Sequence, residues 1–219
     1  MAFNSRNQLA LELFQAPDPT LESFVEGENR EALEVLKSVR SGSGPQFTYL
    51  FGQKGVGCTH LLRALGLTAT DIPVFCDEQS LYLVDDIDSR NTDELQAFFD
   101  LVNEVRAHPG THIVVAGHHS PRELQFYGVR DDVTSRLSWG TVLEIQPLSD
   151  AEKQKEFIRR AQLAGLNVTP EALAWIENYL PRDMHTMICI LEGIISYSLK
   201  TNRTMTIPLI KEWLERERK

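Results

Sequence analysis

The chain has 219 residues, a formal net charge of −9, 42% hydrophobic residues and 24% charged ones. This is the composition of a globular protein long enough for one full core and a small second one. No apolar run approaches the ~20 residues that span a bilayer, so no membrane association is expected. The N-terminal MAFNSRNQLALELF lacks the charged-then-apolar layout of a secretion signal. Cys58, Cys76 and Cys189 stand at unrelated spacings and read as reduced thiols. A cytoplasmic protein is expected. An acidic chain is poorly suited to hold a duplex through its phosphates. The basic spots Arg159/Arg160 and 216-RERK-219 lie on charged helices and read as solvated surface. Direct sequence-specific DNA binding is therefore not expected.

In chain order, Pro17 and Pro19 break the first thirty residues, which read as a tail leading into a helix over 28–40. The turn 41-SGSGP-45 precedes a buried strand at 46-QFTYL-50. Then comes 50-LFGQKGVGCTHLLRAL-65, in which Gly52, Gly57 and Thr59 fill the frame G-x-x-x-x-G-x-[ST] ahead of a helix. In such loops backbone N–H groups and the helix N-terminus wrap phosphates, and the Ser/Thr hydroxyl holds magnesium. The lysine that should reach the terminal phosphates is replaced by Cys58, which supplies no cation. Lys54 lies inside the loop but out of register, and an early loop lysine would fall at Gln53. Cys58 could act as a reactive thiol at a helix N-terminus, but reads more simply as a tolerated small residue.

Short strands are predicted at 73-PVFCD-77 and 81-LYLVDD-86. Asp85 and Asp86 end the second, where carboxylates in ATPases orient magnesium and the attacking water. Asn91 and Glu94 form a capping-box pattern opening a helix that Pro109–Gly110 stops. Strands 112-HIVVAG-117 and 141-TVLEI-145 bracket a polar, irregular segment containing Arg136. A lone arginine in a loop usually faces solvent. At this place in an ATPase module it can instead enter a neighbour's nucleotide site and stabilise transition-state charge. His112, His118 and His119 cluster around one strand without metal-ligand spacing. After Pro147 the pattern is helical only, with a capping box at Ser149/Glu152, a cap at Thr169–Pro170, and helices over 183–199 and 208–217. The expected fold is α/β: a parallel five-stranded sheet flanked by helices over 21–147, then a small all-α lid over 148–219, with a hinge at 146–149. Residues 1–20 are the tail, and its exposed apolar motif 8-QLALELF-14 needs either a partner or its own domain to cover it.

Together these segments resemble the AAA+ proteins of the DnaA/Hda family across nearly the whole chain. The resemblance is carried by the loop running into Thr59-His60-Leu61-Leu62, by Asp85-Asp86-Ile87 and by 120-SPREL-124. It continues in 135-SRLSWG-140, 145-IQPLSDAEK-153 and 207-IPLIKEWL-214. It implies a short regulator lacking the initiator's DNA-binding domain. Such a regulator binds the DNA polymerase III beta sliding clamp and stimulates hydrolysis of ATP held by DnaA. On this chain Gln8, Leu9, Leu11, Leu13 and Phe14 would hold the clamp, and Arg136 would be the arginine finger acting in trans. Gly52, Gly55, Gly57, Cys58, Thr59, His60, Asp85, Asp86, Arg182 and His185 would surround the regulator's own ADP, with Thr59 and Asp85 near magnesium. Three positions depart from the family pattern: Cys58 replaces a basic residue, His185 stands at the lid arginine's position with Arg182 three residues earlier, and Gly117–His118 occupies an acidic or polar sensor position. The expectation is weak or absent ADP and Mg binding and no autonomous ATPase activity. A homodimer is left open. The competing readings are a self-sufficient ATPase, which Cys58 opposes, and a catalytically silent AAA+ adaptor or clamp-loader-like subunit.

Overall fold

The computed structural model describes residues 18–66, 68, 70–179 and 184–216. The clamp motif at 8–14 and Arg182 lie outside the described residues. Asp18–Pro147 forms one unit, and the chain from Leu148 contributes to a second.

Strand β1 (Phe47–Phe51) is the centre of the first unit because both of its faces are apolar. Tyr49, flanked by Phe47 and Phe51, enters one core, and Leu50 enters another on the opposite face. Such two-sided burial demands a parallel sheet with helices on both faces. Strands β2 (Leu81–Val84), β3 (His112–Gly117) and β4 (Thr141–Glu144) complete it, all parallel, in the order β2-β3-β1-β4. Helices α1 (Arg30–Arg40) and α2 (Cys58–Leu65) cover the Leu50 face, and α3 (Thr92–Ala107) covers the Tyr49 face. The capping box predicted for α3 is formed: Asn91 Oδ1 accepts from the N–H groups of Asp93 and Glu94, each at 3.0 Å.

The sheet has four strands among the described residues, not the five expected, because 73–77 joins no ladder. The Tyr82 hydroxyl takes the backbone groups a ladder would need. It accepts from Cys76 N–H at 2.7 Å and donates to Cys76 C=O at 2.9 Å. Phe75 stacks on Tyr82 and His108, while Val74 is left facing solvent. The segment before β4 is also more regular than its polarity suggested. It holds α4 (Pro121–Leu124), a 3₁₀ turn (Gln125–Tyr127) and α5 (Asp131–Leu137). Arg136 therefore sits in the last turn of a helix, not in a loop. Seven residues are too few for a period to show, although Val133, Thr134 and Leu137 are buried along one side of α5. Nor are residues 18–29 a tail: Leu21 lies in the core, and the buried Asn29 amide exchanges two hydrogen bonds with the backbone of Gln146.

In the second unit, α6 (Asp150–Leu163), α7 (Pro170–Tyr179), α8 (Met184–Thr201) and α9 (Ile207–Arg216) enclose a core around Phe157, Leu191, Ile194 and Trp213. Gly193 is obligatory, since a Cβ there would lie 2.3 Å from the Trp213 ring. Glu156 is buried but accepts from both Arg159 and Arg160, so its charge is compensated.

Candidate functional site

The loop between β1 and α2 has the backbone of a phosphate cradle. Gly55 and Gly57 adopt φ of +90° and +111°, conformations that side chains strain, and they turn the chain into α2. A Cβ on Gly52 would lie 2.7 Å from the Ile145 carbonyl, so this glycine is required by packing as well. No side chain caps the first turn of α2, leaving its N-terminal donors to an anion or to water.

The side chains around the cradle supply little charge. Cys58 is buried in the core beneath the loop, and that burial, with the nearby Asp85 carboxylate adding to it, pushes its thiol up to about 12. This overrules a reactive thiolate. Gln53, Lys54 and Thr59 are exposed. His60 turns away to the N-terminal segment, with Nε2 at 3.3 Å from both Ser23 Oγ and the Thr20 carbonyl. Phe24 lies against Gly57, where a Cβ would come within 2.7 Å of its ring, and its centroid is 5.7 Å from that of His60. Thr20, Ser23 and Phe24 thus wall the loop. Sequence reasoning missed them because no spacing rule links a polar turn to a loop some thirty residues later.

At the carboxyl end of β2, Asp85 Oδ1 accepts the N–H of Asp86 at 2.9 Å, and Asp86 takes the left-handed φ of 54°. Asp86 Oδ1 lies 3.6 Å from His118 Nε2. Asp88 accepts from His118 N–H at 2.5 Å and sits 3.1 Å from His119 Nδ1. Gly117 has no room for any side chain: a Cβ would lie 2.4 Å from the Tyr49 hydroxyl and 2.6 Å from Asp88 Oδ2. The position after β3 therefore presents His118 toward the carboxylate. His112 is at the other end of β3, bonded to the Pro45 carbonyl, so the three histidines do not form one cluster. Among the described residues no group of three or more His, Cys, Asp or Glu could hold a metal ion.

Arg136 lies apart from the loop, against α3. Its guanidinium carbon sits 3.5 Å above the Phe99 ring centroid and 5.0 Å from that of Trp139. It donates to Asn103 Oδ1 at 3.2 and 3.4 Å and to the Asp132 carbonyl at 2.9 Å. All these hydrogen-bond acceptors are neutral; the Asp132 carboxyl, held low first by its bond to Arg130, also feels the Arg136 charge. In the sequence Phe99 reads as part of the apolar stripe of α3, while Asn103 escaped notice; only their i, i+4 spacing could have signalled a shared face. Of the lid positions, His185 belongs to α8, and its side chain is outside the described set.

A glycine loop between strand and helix, carboxylates at the end of β2 and helices following the sheet give the chain a P-loop fold of the AAA+ type. The fold is shared with domain III of the replication initiation protein DnaA from Thermotoga maritima (19% identity, TM-score 0.69, covering 93% of this chain and 98% of that one). It is shared too with AMPPCP-bound DnaA from Aquifex aeolicus (24% identity, TM-score 0.66, 94% and 71% covered). A RuvB variant from Thermotoga maritima is similar at 15% identity, TM-score 0.63, with 92% and 73% covered. Residues 150–214 match the family model described as Hda, lid domain. Among the described residues no helix is long and apolar enough to cross a membrane.

Proposed function

We propose that the chain is a negative regulator of chromosomal replication initiation that stimulates hydrolysis of ATP held by DnaA, with Arg136 acting in trans as the arginine finger. The observation that carries this reading is the state of Arg136: positioned on Phe99, hydrogen-bonded to neutral acceptors, and with no carboxylate within ion-pair distance among the described residues. A cation held in place and without an ion pair is what a developing phosphoryl charge requires. The chain's own loop lacks such a cation, so the protein acts on a partner's nucleotide. An Hda-type lid and a DnaA-like fold support the initiator as that partner. The tail residues Gln8, Leu9, Leu11, Leu13 and Phe14 are proposed to tether the protein to the sliding clamp. ADP in the chain's own site would be held by backbone donors around Gly52, Gly55 and Gly57, with Thr59 and Asp85 toward Mg. Without a cation at position 58 its affinity is expected to be low.

The test follows release of ADP from labelled ATP–DnaA, with clamp loaded on DNA and with or without this protein. Clamp-dependent acceleration is expected, falling by about 10³-fold in Arg136→Ala while clamp binding persists. Equal stimulation by the variant would remove the finger assignment. No acceleration by the wild-type protein, with the tail still bound to clamp, would identify a silent adaptor instead.

A further inference from the structure

Arg136 is not the only cation on its face that lacks an ion pair among the described residues. Phe99, Asn103 and Arg106 follow one another at i, i+4 and i+7 along α3, and therefore share one stripe. The Arg106 guanidinium carbon lies 4.5 Å from the Trp139 ring centroid, and Arg136 lies 5.0 Å from the same ring. Trp139 is itself braced edge-on by Phe47 at 5.9 Å. Two helices thus bring two guanidinium groups to one indole. The third arginine on this face, Arg130, is neutralised by a bidentate bond to Asp132. Arg106 and Arg136 have no carboxylate within ion-pair distance among the described residues, in a protein whose net charge is −9. Stacking on a ring orients a guanidinium and leaves its in-plane N–H edge free to meet an anion.

We propose that Arg106 is a second cation of the finger, contacting the phosphates of the nucleoside triphosphate held by the partner ATPase and oriented by the Trp139 indole that it shares with Arg136. This rests on the trans-acting reading of Arg136 above. Arg136, clamped by Phe99 and Asn103, is the fixed donor. Arg106, exposed and against the same ring, extends the positive face toward the rest of the polyphosphate.

The experiment titrates the full chain into labelled ATP–DnaA with clamp on DNA, and separates the maximal rate from the half-saturating concentration. Arg106→Ala and Arg106→Met are compared with Arg106→Lys, Arg136→Ala and wild type. Methionine keeps apolar packing over the indole and removes only the charge and donors. The expected result is a fall of about tenfold in maximal rate for both neutral variants and an intermediate rate for lysine. Half-saturation should be unchanged, and circular dichroism should match wild type. Neutral variants as fast as wild type, beside an inactive Arg136→Ala, would overturn the proposal. So would a deficit abolished by more protein, which marks a docking contact only. Full activity of Arg136→Ala would instead overturn the underlying reading.

Discussion

Cys58 determines what the phosphate loop can do. The loop backbone keeps the left-handed glycines and uncapped helix start that anions use, but the residue under it is a buried neutral thiol. With the thiol pushed up to about 12, roughly one molecule in ten thousand is thiolate at pH 8. Alkylation at that pH, read by mass spectrometry, should label the exposed Cys76 and leave Cys58 unmodified until denaturant is added. Rapid native labelling of Cys58 would mean that the loop opens readily. The sign of the linkage follows from the same shift. Folding raises the thiol above its ordinary 9.0, so its contribution is intact below about pH 9 and is lost as pH rises toward 12. Arg136 sits instead against an amide, a carbonyl and a ring face.

At the scale of elements, α3 is the platform for Arg136, and its N-terminal cap fixes where it starts. Asn91→Ala leaves the N–H groups of Asp93 and Glu94 without their acceptor and is expected to cost about 1 kcal/mol, visible as a lower Tm by circular dichroism. The reciprocal bond from Asn91 N–H and the neighbouring Arg90 hold the Glu94 carboxyl below its usual 4.5. Its share is therefore present above that pH and lost as pH falls through the lowered folded value. Alanine keeps that backbone N–H, so both proteins should lose this share in acid and the difference between them should stay nearly constant; a difference that narrows would couple the Glu94 carboxyl to the Asn91 side chain. The turn after α5 is equally constrained, since a Cβ on Gly140 would strike the Phe47 carbonyl at 2.0 Å. That contact closes the chain against β1 and sets Trp139 beside Phe47.

For the whole molecule, charge limits the partners. A net charge of −9 and arginines gathered on one small face do not suit a duplex, whose nonspecific binding needs many phosphate contacts. A short labelled duplex is expected to remain unshifted at roughly micromolar protein and physiological salt. A shift that weakens steeply with salt would contradict this and assign the Arg106–Trp139 face to nucleic acid.

Much of this was legible along the chain. The phosphate-loop frame, the missing cation at Cys58, the carboxylates Asp85 and Asp86, the capping boxes and the change from alternating strands and helices to helices alone are local patterns. Each follows from backbone geometry acting over a few residues, and together they specified a nucleotide-type α/β module with a helical lid. Contacts between distant residues were not legible. No local rule ties Tyr82 to Cys76 and so withdraws 73–77 from the sheet, fills the space at Gly117 with Tyr49 and Asp88, or draws His60 to Thr20 and Ser23. Nor could any pattern stack Arg136 and Arg106 on one indole. Those arrangements depend on which faces meet once the apolar cores close, and burial, unlike periodicity, is decided only by the fold as a whole.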